Sequence, residues 1–137
     1  MISNSDETAS LLSELPGGRE LLQWFAGEPD FGDAEIVSLH LDRKGPSTLR
    51  IEIGRGARYA VITFLLGHWI DVSLRGFSDQ NVIGGLALKR AGERELAPWE
   101  MGVGVLPGDT EIELAPCFGA SGTIRARVLG VNLEPTR

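Results

Sequence analysis

A single cysteine, Cys117, stands in the whole chain. No internal disulfide can form, and such sparse usage fits a reducing compartment. Histidine is nearly as scarce: only His40 and His68 occur. Neither has a second histidine or a cysteine at ligand spacing, so the sequence signature of a zinc site is missing. No apolar run approaches the roughly 20 residues of a membrane-spanning helix; the longest, Tyr59 to Leu66, has the length of a strand. Positive charge is in deficit as well. Lys and Arg number 13 against 19 Asp and Glu, for a net charge of −6, which opposes non-specific attraction to nucleic acid or anionic membranes. The first ten residues, MISNSDETAS, have no basic n-region and no apolar h-region, so they do not read as a signal peptide. The expectation is a soluble cytoplasmic protein with no cofactor, no metal, no nucleic-acid partner and no membrane partner.

What is present is an ordinary globular composition in 137 residues, 42% hydrophobic and 23% charged. That length predicts one domain, 1–137, able to bury a core without metal or disulfides. Ser5-Asp6-Glu7-Thr8 begins a short helix with Leu11, Leu12 and Leu15 on one side, and Pro16-Gly17-Gly18 breaks it. Residues 1–17 are thus a helical extension. A second helix occupies 18–27, with an apolar stripe of Leu21, Leu22 and Phe25, ended by Gly27 and Pro29.

Beyond Pro29 the apolar period changes from 3.6 to 2. Val37, Leu39 and Leu41 alternate with Ser38, His40 and Asp42, and Lys44-Gly45-Pro46 reads as a hairpin loop. Leu49, Ile51 and Ile53 follow in a second strand, and Tyr59 to Leu66 reads as a central strand. Gly67-His68 reads as a tight connection before Ile70, Val72 and Leu74. Asn81 to Lys89 reads as another strand, or as one broken at Gly84-Gly85, where two glycines point to a bulge or a close backbone approach. Trp99 to Leu106 and Thr110 to Ala115 pair through Pro107-Gly108-Asp109. The last strand, Thr123 to Leu133, is bulged at Gly130. The resulting fold class is mostly β (α+β by strict count): an antiparallel β-sandwich or strongly curved sheet or barrel over 34–134, with one or two short N-terminal helices.

Chemistry is harder to find. His40 falls on a polar strand face and His68 at a turn. Cys117 lacks a base fixed by spacing, so the plainer reading is a small buried or edge thiol. Gly54-Arg55-Gly56 and Gly102-Val103-Gly104 match neither the P-loop nor the dinucleotide fingerprint, and turns and bulges account for them. No catalytic residue is assigned. Glu28, Asp30, Asp33 and Glu35 concentrate after the second helix; a solvated loop is the default reading and an acidic docking edge the next. Trp69 shares a strand face with Asp71, Ser73 and Arg75, which reads either as an interface or as core. Asp79-Gln80-Asn81 reads as a turn that orients the next strand. The candidate partner-binding residues are therefore Asp30, Asp33, Glu35, Trp69, Asp71, Arg75 and Asp79.

Trp24, Pro29, Phe31, Asp33, Ala34 and Glu35 resemble the opening of the bacterial immunity protein 50 family. Val61-Ile62-Thr63-Phe64, Asp71-Val72-Ser73-Leu74, Gly76-Phe77 and Gln80-Asn81-Val82-Ile83 are similar to its middle strands, and Gly119, Gly122 and the stretch to Glu134-Pro135 to its end. The histidine that the family carries after the phenylalanine is Gly32 here, so no role of that histidine transfers. The resemblance implies a non-enzymatic antidote that binds and neutralises a protein toxin, a basic one being favoured by charge. Two further expectations stand beside it. One is a small hydrolase or ligand-binding β-barrel with His40 or His68 inside an enclosed cavity. The other is a module that self-associates as a homodimer through an exposed strand edge.

Overall fold

The computed structural model describes residues 4–42, 44, 46–90 and 109–136; the side chains of 4, 5, 68–70 and 136 are outside that description. Two helices, α1 (Asn4–Glu14) and α2 (Gly18–Trp24), precede six described strands. These are β1 (Glu35–His40), β2 (Ser47–Arg55), β3 (Arg58–Arg75), β4 (Val82–Arg90), β5 (Thr110–Phe118) and β6 (Ser121–Thr136). They close into an antiparallel barrel in the order β1-β2-β3-β6-β5-β4. Of the two forms that strand periodicity allows, the curved sheet closed into a barrel is the one formed.

Alternation fills the interior. Leu49, Ile51 and Ile53 of β2, Ala60, Ile62, Phe64 and Leu66 of β3, Ile112 and Leu114 of β5, and Ile124 and Ala126 of β6 are all buried. Each fully buried large aliphatic or aromatic side chain contributes about 1.5–3 kcal/mol over its exposed state. The expected bulges occur. Ile83 pairs with Pro116 and Gly85 with Ala115, leaving Gly84 as the extra residue. In β6, Leu65 pairs with Gly130 but Leu66 with Val128. The extra residue at Leu129 shifts the buried set from Ile124, Ala126 and Val128 to Val131.

Two expectations need correction. In β1, Ile36 pairs with Ile51 and Ser38 with Arg50, so Val37 is a bulge. The face is rephased: Ile36 is buried, while Val37 and Leu41 are exposed. Gly67-His68 is no turn, because β3 runs unbroken from Arg58 to Arg75 and absorbs irregularities against β6 between Leu65 and Asp71. A strand this long can bend around a barrel only by such breaks in register. Cys117 is exposed near the end of β5, the edge position of the two expected for it. The strand expected at Trp99 to Leu106 and the Pro107-Gly108 turn lie outside the described residues.

The barrel closes by a short seam. Glu35 pairs with Val82, and the amides of Ile36, Ile83 and Asp33 donate to Asn81 O, Ala34 O and Ile83 O at 2.8, 2.9 and 2.9 Å. Further along β4 the helices take over. The Leu88 amide donates to Thr8 Oγ1 of α1 at 3.0 Å. The Val131 amide of β6 donates to Pro16 O between the helices at 2.9 Å. Leu11, Leu12, Leu21 and Trp24 thereby join the barrel core. Backbone groups that would otherwise offer a pairing template are covered, which leaves the strand-edge dimer without its expected edge at these positions.

Candidate functional site

The connection from α2 to β1 is shaped by a helix end and two left-handed residues. Phe25, Ala26 and Gly27 donate to Leu21 O, Gln23 O and Leu22 O, with Ala26 at φ 59° and Gly27 at φ 97°. The helix expected over 18–27 with Gly27 as its left-handed end stops earlier, at Trp24, and Ala26 takes the left-handed position directly after the Phe25 cap, with Gly27 following it. Phe31 and Ala34 then anchor the loop in the core. Phe31 meets Phe25 and Phe64 at ring-centroid distances of 5.0 and 6.4 Å. Between the anchors, the Asp30 carboxylate accepts the Gly32 amide at 3.0 Å, and Asp33 takes φ 66°, a conformation that aspartate tolerates better than most residues.

The tip of the β2–β3 hairpin braces this loop. Gly56 turns at φ 64°, so the two-residue Gly56-Ala57 link has the positive first φ of a type II′ turn. It sets Arg55 opposite Arg58. Two like charges on facing positions repel, and each guanidinium is occupied elsewhere. Arg55 donates to Asp30 O, to Gly32 O at 3.0 Å and to Gly54 O at 2.8 Å, and lies 3.5 Å from the Asp30 carboxylate. Arg58 donates to Trp24 O at 2.6 Å, and its guanidinium sits 4.5 Å from the Trp24 ring centroid.

Together these groups enclose a surface hollow of about 610 Å³. Its lining includes Trp24, Phe25, Glu28, Asp30, Arg55 and Arg58. The floor is aromatic, with Trp24 and Phe25 edge to face at 5.1 Å. Both signs of charge line it.

The sequence-predicted residues separate into three places. Asp30 is at the hollow, with its side chain 76% exposed. Asp33 is exposed beside it, and Glu35 begins β1. Asp79 is exposed in the β3–β4 turn, which the seam from Asn81 O to Ile36 N brings next to β1. Asp71 lies on the other half of β3, bound to Arg125 of β6 at 2.8 Å, and Arg75 is exposed near the same strand's end. Trp69 is in β3, but its side chain falls outside the described residues. His40 is exposed on β1 and so is not inside the barrel; the His68 side chain is outside the described residues.

Sequence reading missed Arg55 and Arg58. Their only local sign is that they bracket a two-residue turn; what they hold is far away in sequence.

Comparison with protein-family models, with curated proteins and with solved structures identifies no match. The likeness to immunity protein 50 therefore rests on the residues quoted above. Several of them have architectural work here: Trp24, Phe31 and Ala34 are buried, and Asp33 makes the left-handed turn.

Replacing Arg55 by methionine is expected to cost about 1–2 kcal/mol, because charge-assisted bonds to two loop carbonyls are lost. Lysine should restore little, since one ammonium does not reproduce the fork. Chemical denaturation measures the stability. Amide exchange at Gly32 and Asp33 should speed up in Arg55→Met by more than the global change accounts for.

Proposed function

We propose that this protein is a non-enzymatic immunity protein that binds and neutralises a bacterial toxin, acting in the cytoplasm on a basic protein partner. The observation that carries the reading is the Arg55 brace. It fixes the loop backbone at two carbonyls while leaving Glu28, Asp30 and Asp33 turned to solvent. A loop already held in one shape loses little conformational entropy on binding. Exposed carboxylates on a chain of net charge −6 accelerate encounter with a cationic surface. Glu35 and Asp79, beside the same seam, extend the acidic ledge. The buried side chains of β2, β3, β5 and β6 give the ledge a rigid base.

The test is co-expression with the product of the neighbouring gene, followed by measurement of protection and of complex formation. The triple variant Glu28→Gln, Asp30→Asn, Asp33→Asn keeps the turn chemistry, because asparagine also tolerates the left-handed region. It is expected to slow association about tenfold or more at low salt, with the difference shrinking at high salt. Neither protection nor complex formation with the unaltered protein would overturn the proposal.

A further inference from the structure

The hollow at the hairpin tip has features that docking of a basic surface does not use. Arg58 is held face-on to Trp24 and bonded to its carbonyl, so it is an oriented fork with N–H groups to spare. Among the described residues no carboxylate pairs with it. Across the lining, Glu28 is exposed and likewise has no ion-pair partner among the described residues. Arg55 and Asp30 are already paired with each other. The hollow therefore has one guanidinium and one carboxylate with no charge partner among the described residues, and an aromatic floor between walls held by hydrogen bonds. Its volume of about 610 Å³ lies within the ordinary range for small-molecule sites, roughly 300–1,000 Å³.

That charge pattern selects among ligands. A simple anion gains from Arg58 but meets Glu28 and Asp30, and a simple cation meets the reverse. A nucleic acid or polyphosphate is rejected by the carboxylates at the rim. Only a molecule with both charges gains from both poles.

We propose that the hollow binds a small zwitterion with an apolar body, of the class of free aromatic or large aliphatic α-amino acids. The ligand carboxylate takes the open edge of Arg58, its ammonium lies toward Glu28, and its side chain covers Phe25 and Trp24. This site shares Glu28 and Asp30 with the docking ledge, but it does not rest on the toxin-binding reading, and its test contains no protein partner.

The experiment titrates the protein with L-phenylalanine, phenylpropanoate and phenethylamine, which share the ring but carry both charges, the negative one or the positive one. Calorimetry gives affinity, and amide and indole NMR shifts give the location. L-Phenylalanine is expected to bind about tenfold or more tightly than either relative, with shifts at the Trp24 indole and at residues 25–30. Glu28→Gln should weaken L-phenylalanine severalfold and leave phenylpropanoate unchanged or tighter. Arg58→Lys should weaken phenylpropanoate. Glu28 makes no side-chain bond among the described residues, so its variant should melt with the parent. Equal affinity for the three probes, no shift at ~10 mM L-phenylalanine, or an unchanged L-phenylalanine affinity in Glu28→Gln would each overturn the proposal.

Discussion

Gly122→Ala is expected to destabilise the protein by about 4 kcal/mol or more, the largest effect of any single substitution considered. Gly122 sits at φ 137° in β6, paired with Leu74 of β3 on one side and Leu114 of β5 on the other. A Cβ added there would lie 2.0 Å from Ser73 O and 3.0 Å from Leu74 Cα. The obstacles are backbone atoms of a neighbouring strand, so no rotamer change relieves them. In a closed barrel β6 cannot move away from β3 without pressing on β5. The expected loss is a large part of the roughly 5–15 kcal/mol that holds a domain together. Gly85 is the matched control. A Cβ there meets nothing within 4 Å, and Gly85→Ala should change stability by less than about 1 kcal/mol. Equal melting of the Gly122 variant and its parent would refute the barrel's packing at this crossing.

Asn81→Ala is expected to cost about 2–3 kcal/mol and to lower the melting temperature by roughly 10 °C. Its Oδ1 accepts the Ser78 amide at 2.9 Å and the Ala120 amide at 3.0 Å. Its Nδ2 donates to Ser78 O at 2.9 Å. One side chain thus ties the β3–β4 turn to the β5–β6 turn, and its own carbonyl receives the Ile36 amide at the seam. Alanine deletes all three side-chain bonds. The partly buried Ala120 amide is the harder loss, because water replaces the exposed Ser78 partner more readily. Asn81→Asp keeps both acceptor contacts but turns a carboxylate oxygen toward Ser78 O in place of the donor, so it should stay below the parent. Thermal melting ranks the three proteins. Exchange at the Ile36 amide should rise in Asn81→Ala, since the seam loses its fixed turn.

The sequence was legible where a rule acts over a few residues. The helical period stops before Pro29, although α2 ends at Trp24 rather than at Gly27; Asp79-Gln80-Asn81 forms a turn that orients β4, and alternation in Leu49, Ile51 and Ile53 marks an inward face. The bulges at Gly84 and near Gly130 follow from glycine in a strand. Val37 gives no such warning. It is β-branched and in step with Leu39, yet the ladder skips it, because Ile36 must face the core where β1 meets β4. Gly67-His68 misled for the opposite reason. Glycine there permits a bend within β3, and pairing with β6 continues on both sides of it. The candidate site was half visible. Asp30 and Asp33 stand in an acidic cluster that the sequence displays, whereas Arg55 reaches Asp30 and Gly32 only after the β2–β3 hairpin has folded over the loop. A contact of that range leaves no periodic trace in the residues that make it.

The bond from the Val131 amide to Pro16 O has a kinetic consequence. It joins the link between the two helices to the last described strand, with the other described strands between them. Contacts between distant parts of a chain slow folding, since a long loop must close before they contribute. During synthesis the helices emerge first, with Leu11, Leu12, Leu21 and Trp24 lacking the wall they will cover. They dock fully only once β6 has left the ribosome. A nascent chain stalled before Val131 should therefore be cut by protease within α1 and α2, and become resistant there when the final strand is released.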